Sequence, residues 1–463
     1  VLESRHMIVK MVKFFVTLTL SLSVLTLAQE SQPLSFSQAL ELSQASPSVV
    51  LARGQRDLAQ KQLEVARGVF SGEFTTSYTQ TWGEATSVSP ATGEEETTSL
   101  DDGGFDTFSL TATLNVVPFG PNADRIQQAL WSLEQAELSL RDAAATALIS
   151  TAESYLTALR AAQEVELRTF SVEVATQQLE ANRVRRESGG ATDQQVLQAE
   201  IALSQAQNEL ATAQRSNVQA LAALSNGLGV AVGSVSGEAP SAALPESLDS
   251  EGQILERTDV RQALIAVQEA ELTAASTTRE YLPSGSLTMT LAATDEERQF
   301  SASAGYDTRS YQPNASLSYD PSSEGGAQVL SSNSLSVRLG ATVPLESSLS
   351  PALEAARLSI EQSQQQAEQT QELARLEITN AQRQLDAAQA GLELSQQLVE
   401  QSQETYNTTK ERFDLGLIIE LDVLTADEAL RESQLNLARA RDSYLLALLQ
   451  YLNSLAVNPL EVF

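Results

Sequence analysis

GLIIELDVLTA at residues 416–426 repeats the layout of GGATDQQVLQA at 189–199, a shift of 227 positions (416 against 189). In each copy a glycine is followed by a polar residue, then Val-Leu, then alanine: Gln195, Val196, Leu197 and Ala199 match Asp422, Val423, Leu424 and Ala426. Each stretch follows a long run of helical periodicity and opens another. A glycine just past a periodic run ends a helix, because it takes the left-handed backbone angles that a C-terminal cap needs. Gly189, Gly190 and Gly416 are expected to do this. The chain therefore holds two copies of a helix that turns back on itself.

Outward from these turns the duplication continues. Val117-Pro118 and Val343-Pro344 stand ahead of the two long helices at nearly the same offset. In the first copy the pattern predicts helices over 35–44, from Ser46-Pro47 to Arg67, over 123–187 and over 193–228. In the second it predicts 258–281, 351–415 and 421–456. At 1.5 Å per residue the long helices reach about 100 Å. Each return helix is about half as long, and the short helix ahead of the strands supplies the difference. The economical arrangement lays two short helices end to end beside one long one, twice per chain. Ile378, Leu385, Leu392, Val399, Tyr406 and Phe413 recur every seven residues. Ala381, Ala388, Ser395, Ser402 and Thr409 follow three behind, so large and small residues alternate along a coiled-coil seam.

Between the helices the period changes to two. Phe74, Thr76, Tyr78, Gln80 and Trp82 share one face of a strand at about 71–82; Phe108, Leu110, Ala112, Leu114 and Val116 share one face of a second at about 107–117. Residues 83–106 read as a solvated loop. The second copy alternates at Leu287, Met289 and Leu291, at Phe300, Ala302 and Ala304, at Ala315, Leu317 and Tyr319, and at Leu335, Val337, Leu339, Ala341 and Val343, within 284–345. This strand region is longer than that of the first copy, and an extra or extended hairpin outside the membrane would absorb the difference. Pro118, Pro283 and Pro344 mark strand–helix junctions, since proline ends ladder pairing and suits a helix start. Residues 229–256 form a linker between a first repeat, 29–228, and a second, 257–463.

Composition narrows the function. The chain has 463 residues, no cysteine, one histidine (His6) and a formal charge of −31 from 60 acidic against 29 basic side chains. Thiolate and imidazole sites are excluded, and such a surface repels nucleic acid. No nucleophile–base pair, metal cluster, phosphate loop or cofactor site can be assembled, so no enzyme is expected. Residues 1–28 contain a cleavable secretory signal after extra N-terminal residues: Lys10 and Lys13, an apolar run of about 15 residues to Ala28, too short for the ~20 of a spanning helix. Any membrane crossing must then be by strands. Strands apolar on one face and Thr/Ser/Asn on the other fit a transmembrane barrel wall. Four of them cannot close a barrel, and an open edge in hydrocarbon leaves amides unpaired. Closure must come from further copies of the chain; three give about twelve strands with a lumen.

The doubled helix–strand–strand–helix unit, Leu282-Pro283 entering a strand, the two Val-Pro pairs, and Phe413-x-x-Gly416-Leu417 ahead of Asp422-Val423-Leu424 together resemble the TolC family of outer-membrane efflux and secretion channels. The resemblance covers nearly all of the mature chain. It implies a fold mainly α with a small β part: a homotrimer in which each chain supplies one third of a 12-stranded outer-membrane β-barrel and of a long periplasmic α-helical barrel. It implies a passive outer-membrane duct of a tripartite efflux pump or a type I secretion system, in contact with outer-membrane lipid, a periplasmic adaptor (membrane fusion) protein and an inner-membrane transporter. It places adaptor contact and gate at the helical tips: Gly189, Gly190, Phe413, Gly416, Leu417, Arg186 and Arg412 at the turns, and Asp422, with Gln195 and Asp427, at the pore constriction. The alternative reading of Asp422 is a helix N-terminal aspartate paired with the macrodipole. Arg183, Arg185, Arg186, Lys410 and Arg412 also suit helix C-termini. Departures from the family pattern are Gln195 in place of a second acid, Thr425 in place of another, and Ile418 where some members carry a basic gating residue, so closure by packing is expected. A non-conducting coiled-coil tether between outer membrane and cell wall is the competing reading.

Overall fold

Helix starts follow capping chemistry. Ser35 opens α1 (Phe36–Ser43) with a reciprocal box: its Oγ accepts from Gln38 N at 3.3 Å, and Ser35 N donates to Gln38 Oε1 at 3.1 Å. Proline occupies the first position of α2 (Pro47–Ala66) and of α3 (Pro121–Glu187), where its missing N–H costs nothing. The computed structural model describes residues 33–81, 84–88, 95–99, 103–115, 119–238, 240, 250–295, 298–320, 332–344 and 348–458. The remaining elements are β1 (Phe70–Thr81), β2 (Glu84–Val88), β3 (Glu95–Ser99), β4 (Gly103–Leu114), α4 (Asp193–Leu228), α5 (Ser250–Ile254), α6 (Thr258–Glu280), β5 (Ser284–Asp295), β6 (Arg298–Asp307), β7 (Gln312–Asp320), β8 (Ser332–Thr342), α7 (Leu349–Asp414) and α8 (Glu420–Ser454). No helix among the described residues is long and apolar enough to cross a membrane.

The expected fold class holds: mainly helical with one small antiparallel sheet. Several local expectations change. The stretch 83–106, expected to be a loop, contains the paired hairpin β2–β3. Strand β4 begins at Gly103 and stops at Leu114, earlier than 107–117, because Gly103 and Gly104 already pair with Thr81 and Gln80. Val116, Val117 and Pro118 lie outside the described residues, as do Trp82 and the signal-like residues 1–28. The linker 229–256 is partly structured: Leu34 bridges Val235 in parallel and α5 lies within it. The sheet has the order β1-β4-β7-β6-β5-β8, six strands instead of four. The length surplus of the second copy is β6–β7, inserted between β4 and β5 in the sheet and not hung outside it.

The chain divides into two compact units that cut across the sequence repeats. The first unit contains residues 52–141 and 251–375, with the sheet and its adjoining helices. Here α6 runs antiparallel to the start of α3: Arg279 pairs with Asp124 near one end, Gln135 with Glu269, and Arg261 with Glu134. The junction between β4 and α3 is stitched by amides. Asn115 Nδ2 donates to Gly68 O at 3.3 Å, and Arg125 Nη2 donates to Ala66 O at 3.3 Å and to Asn122 Oδ1 at 3.0 Å.

The second unit contains the described residues up to Leu51 with 142–250 and 376–458. Its main core joins Phe36, Leu40, Leu148, Tyr155, Leu156, Leu224, Leu445 and Leu449 from α1, α3, α4 and α8. Phe36 meets Tyr155 edge-on with ring centroids 5.4 Å apart. The Tyr155 hydroxyl donates toward the carbonyls of Leu34 (3.1 Å) and Ser236 (2.6 Å), tying both strands of the linker bridge to the core. Arg160 and Asp442 form a bidentate pair at 2.5 and 2.7 Å with side chains 12% and 9% exposed. Along α7 the seam expected from the heptads is the sheltered one: Ile378 and Leu385 are buried and Leu392, Val399 and Tyr406 half-buried, while flanking residues are exposed.

Two outcomes follow from this packing. Asp442→Ala strands a desolvated guanidinium and should cost about 3–5 kcal/mol, whereas the double change Arg160→Met, Asp442→Leu should stay within about 1 kcal/mol of the parent; urea melts followed by helical circular dichroism measure both. Burial raises the Tyr155 phenol above its ordinary 10.0, against the lowering by its Ser236 hydrogen bond. A raised folded pKa leaves this contribution whole below the unfolded value near pH 10 and removes it as pH climbs past it. Stability of the parent should therefore fall more steeply above about pH 10 than that of Tyr155→Phe.

Candidate functional site

Both long helices end in the same motif. At the end of α3, Gly189 has φ 76°, its N–H donates to Arg186 O at 3.0 Å, and Gly190 N–H donates to Arg185 O at 2.7 Å. At the end of α7, Gly416 has φ 74°, its N–H donates to Phe413 O at 2.8 Å, and Leu417 N–H donates to Arg412 O at 2.9 Å. These are Schellman caps, which satisfy carbonyls that the helix cannot pair itself. Gly190 was expected to be left-handed and is not: the positive angle belongs to Gly189 alone, and Gly190 occupies the position of Leu417, where a side chain is accepted.

The return helices also start alike. Thr192 caps α4: Gln195 N donates to Thr192 Oγ1 at 3.3 Å and Thr192 N donates to Gln195 Oε1 at 2.8 Å. Ile419 precedes α8, and its N–H donates to Asp422 Oδ2 at 3.2 Å. Isoleucine has no acceptor to return, so only half of the box forms. Gln195 and Asp422 thus hold the same position, the third residue of the first helical turn, and do the same backbone work. Asp422 is exposed, and its carboxylate is complementary to the positive end of α8.

The other tip residues spread over both hairpins. Arg186 Nε pairs with Asp193 Oδ1 at 2.7 Å across the first turn, and Arg183 with Glu200 at 3.0 Å. Asp427 is held by Arg431 at 3.1 Å, and the Arg431 guanidinium lies 4.3 Å from the Phe170 ring centroid on α3. That contact, and Glu164 accepting from both Arg168 and Arg439, join α3 to α8. Sequence spacing carried no signal for these pairs, since the helices meet only in space. The tips differ in chemistry. The second turn exposes Phe413, Leu415 and Leu417, with Leu415 74% and Leu417 70% exposed. The first turn presents Ser188, Gly189, Gly190 and Ala191. Pro283 directly precedes β5, and Pro344 follows β8 by two residues; Pro118 lies outside the described residues. Among the described residues no group of acidic or histidine side chains could hold a metal ion.

The sequence pattern of the outer membrane efflux protein family matches residues 39–230 and 253–456. The chain belongs to the outer membrane efflux protein family. The two matched stretches each contain one of the glycine turns, and together they span most of the chain. The resemblance to TolC-like channels drawn from the doubled motifs is therefore borne out, and the chain is an outer-membrane efflux channel protein. Similar solved structures include the CmeC outer membrane channel of Campylobacter jejuni, at 15% identity and TM-score 0.65, covering 94% of this chain and 90% of that one. Another is the outer membrane protein VceC of Vibrio cholerae, at 21% identity and TM-score 0.63, covering 91% and 96%. A third is the open state of the MtrE outer membrane channel of Neisseria gonorrhoeae, at 16% identity and TM-score 0.62, covering 91% and 89%. No curated protein sequence matches the chain.

The caps separate the glycines experimentally. Gly189→Ala and Gly416→Ala should each cost about 1–2 kcal/mol, the penalty of a Cβ in the left-handed region. No atom crowds either position, so the penalty is conformational alone. Gly190→Ala should stay within about 0.5 kcal/mol of the parent. Hydrogen exchange at the two tips, read residue by residue, distinguishes these outcomes.

Proposed function

We propose that three copies of this chain close a passive duct through the outer membrane, with the helices continuing it into the periplasm. The observation that carries the reading is the sheet. Its order ends at β1 and β8, and no pairing among the described residues joins those two strands. One face presents Phe108, Leu110, Leu287, Met289, Leu317 and Leu339 to the exterior, with Leu339 81% exposed. The opposite face presents Ser109, Thr111, Thr288, Thr290, Ser316 and Ser336 at alternating register positions. An apolar face matches lipid and a hydroxyl face matches water. The open edges are satisfied when β1 of one chain meets β8 of the next.

The helices support the same assembly. Leu358, Leu373, Leu376, Leu394 and Leu398 are exposed along α7, away from its sheltered seam. A second apolar stripe of that kind suits a wall helix with neighbours on both sides. In this reading the chain is exported through a cleavable signal in residues 1–28. Two tandem repeats, 29–228 and 257–463, flank the segment 229–256. The exposed apolar turn Phe413–Leu417, with Gly189, Arg186 and Arg412, meets a periplasmic adaptor that couples the duct to an inner-membrane transporter. That pump is an efflux assembly or a type I secretion system; it supplies the energy, and the duct performs no chemistry. Asp422 and Gln195, repeated around the axis, form the constriction with Asp427. The tether reading loses ground because a tether has no use for a hydroxyl-lined face.

Purified protein in a planar bilayer should conduct, and gentle native mass measurement should find three chains. Asp422→Asn should weaken cation preference and relieve block by multivalent cations, because three carboxylates leave the axis together. Unchanged ion selectivity in that variant would remove Asp422 from the pore.

A further inference from the structure

We infer that each chain contributes six full-length wall strands, so that the barrel closed by three chains has eighteen strands and an exit portal wider than a twelve-stranded one. The inference rests on the trimeric duct proposed above. Its basis is the β6–β7 hairpin. β6 has 10 residues and β7 has 9, the length that a tilted strand needs to cross a bilayer. β7 pairs with β4 from Phe108↔Tyr319 to Thr113↔Asn314, and β6 pairs with β5 from Ser286↔Asp307 to Asp295↔Arg298. The hairpin is thus bonded on both outer edges along its length.

Its sidedness agrees with the rest of the sheet. Phe300, Ala302 and Ala304 stand opposite Tyr319, Leu317 and Ala315, in line with the apolar positions of β4 and β5. Between them, Ser301 Oγ lies 2.6 Å from Ser318 Oγ, and Ser303 Oγ 2.7 Å from Ser316 Oγ. A one-residue slip would exchange the two faces, so matched alternation across six strands marks a single wall. A hairpin standing free above the membrane would have no reason to keep a lipid face.

The turn of the hairpin reaches the helix-side end of the sheet. Thr308 N donates to Gly285 O at 2.9 Å, and Gly285 N donates to Thr308 Oγ1 at 2.7 Å, one residue into β5. Tyr311, itself at φ 55°, sets its ring against Gly120 beside the start of α3; a Cβ on Gly120 would come within 2.5 Å of that ring. The hairpin therefore runs the full height of the sheet. Removing it would place β4 beside β5 with strand directions still alternating, so a four-stranded ancestor or variant is topologically complete. Barrel diameter grows roughly linearly with strand number, so eighteen strands give a portal about 1.5-fold wider than twelve. The added wall is lined by Ser301, Ser303, Asn314, Ser316 and Ser318, with Asp307 on the same face at the turn, where its carboxylate accepts from the N–H groups of Arg309 and Ser310. Such a portal admits bulky solutes.

The test uses the full chain, which lacks native cysteine. Ala302→Cys, Ser303→Cys, Ser316→Cys and Leu317→Cys are spin-labelled singly and reconstituted in lipid. Labels at 303 and 316 should respond to a water-soluble relaxation agent, and labels at 302 and 317 to oxygen dissolved in lipid. Electron cryomicroscopy of the same assembly should count eighteen strands at three chains. Deleting Arg298–Asp320 should lower the size of polyethylene glycol that enters from the extracellular side by about 1.5-fold in radius. Uniform water access at all four positions, or a conducting trimer with twelve strands, overturns the inference and leaves the duct intact. Monomeric or non-conducting protein overturns the duct itself.

Discussion

A backbone amide in hydrocarbon must find a partner, and this requirement organises the molecule. Each unsatisfied group costs several kcal/mol in lipid, where no water can substitute. The sheet meets it internally across five strand pairings and leaves it unmet at β1 and β8. Among the described residues no pairing joins β1 to β8. The proposed closure by identical copies follows from that deficit. The even number of strands makes it geometrically possible, since β1 and β8 run in opposite directions and can pair antiparallel.

The helices carry a parallel deficit in apolar area. α7 shelters a single 3.5-residue seam, with Ile378 and Leu385 buried, and leaves Leu373, Leu376 and Leu394 to solvent. A globular helix of this composition would bury one broad stripe. Two narrow stripes belong to a helix with two neighbours. The polar pairs serve orientation. Arg160–Asp442 and Arg431 against Phe170 fix how α8 sits on α3, because a bidentate fork and a stacked guanidinium accept few geometries.

The glycine turns show how function sits on plain backbone physics. Asp422 and Gln195 are each the third residue of a first helical turn, and both reach back to a capping N–H. The duplication preserved the cap while allowing the side-chain charge to differ between copies. A carboxylate that already complements a helix terminus is available, at no structural cost, for an axial role in an assembly. The same economy applies to the tips, where identical Schellman caps carry an apolar turn in one repeat and a small, polar one in the other.

Much of this was legible in the residues. The glycine spacing, the heptads and the capping residues define α3, α4, α7 and α8 nearly to the residue, since helix periodicity and caps are local. The alternating faces of β1, β4, β5 and β8 were legible for the same reason. Other features depend on what lies across space. The hairpin β2–β3 hid in a polar stretch, because two-sided polar strands have no periodic contrast. The placement of β6–β7 inside the sheet, the Gly120–Tyr311 contact, and the pairing of Arg160 with Asp442 across 282 positions have no local signature. Gly190 resembled Gly189 in sequence, and only the turn geometry assigned the left-handed angle to one of them. Short-range backbone preferences are written in the order of the residues, whereas which strand lies beside which is decided when hydrogen-bonding edges find partners in three dimensions.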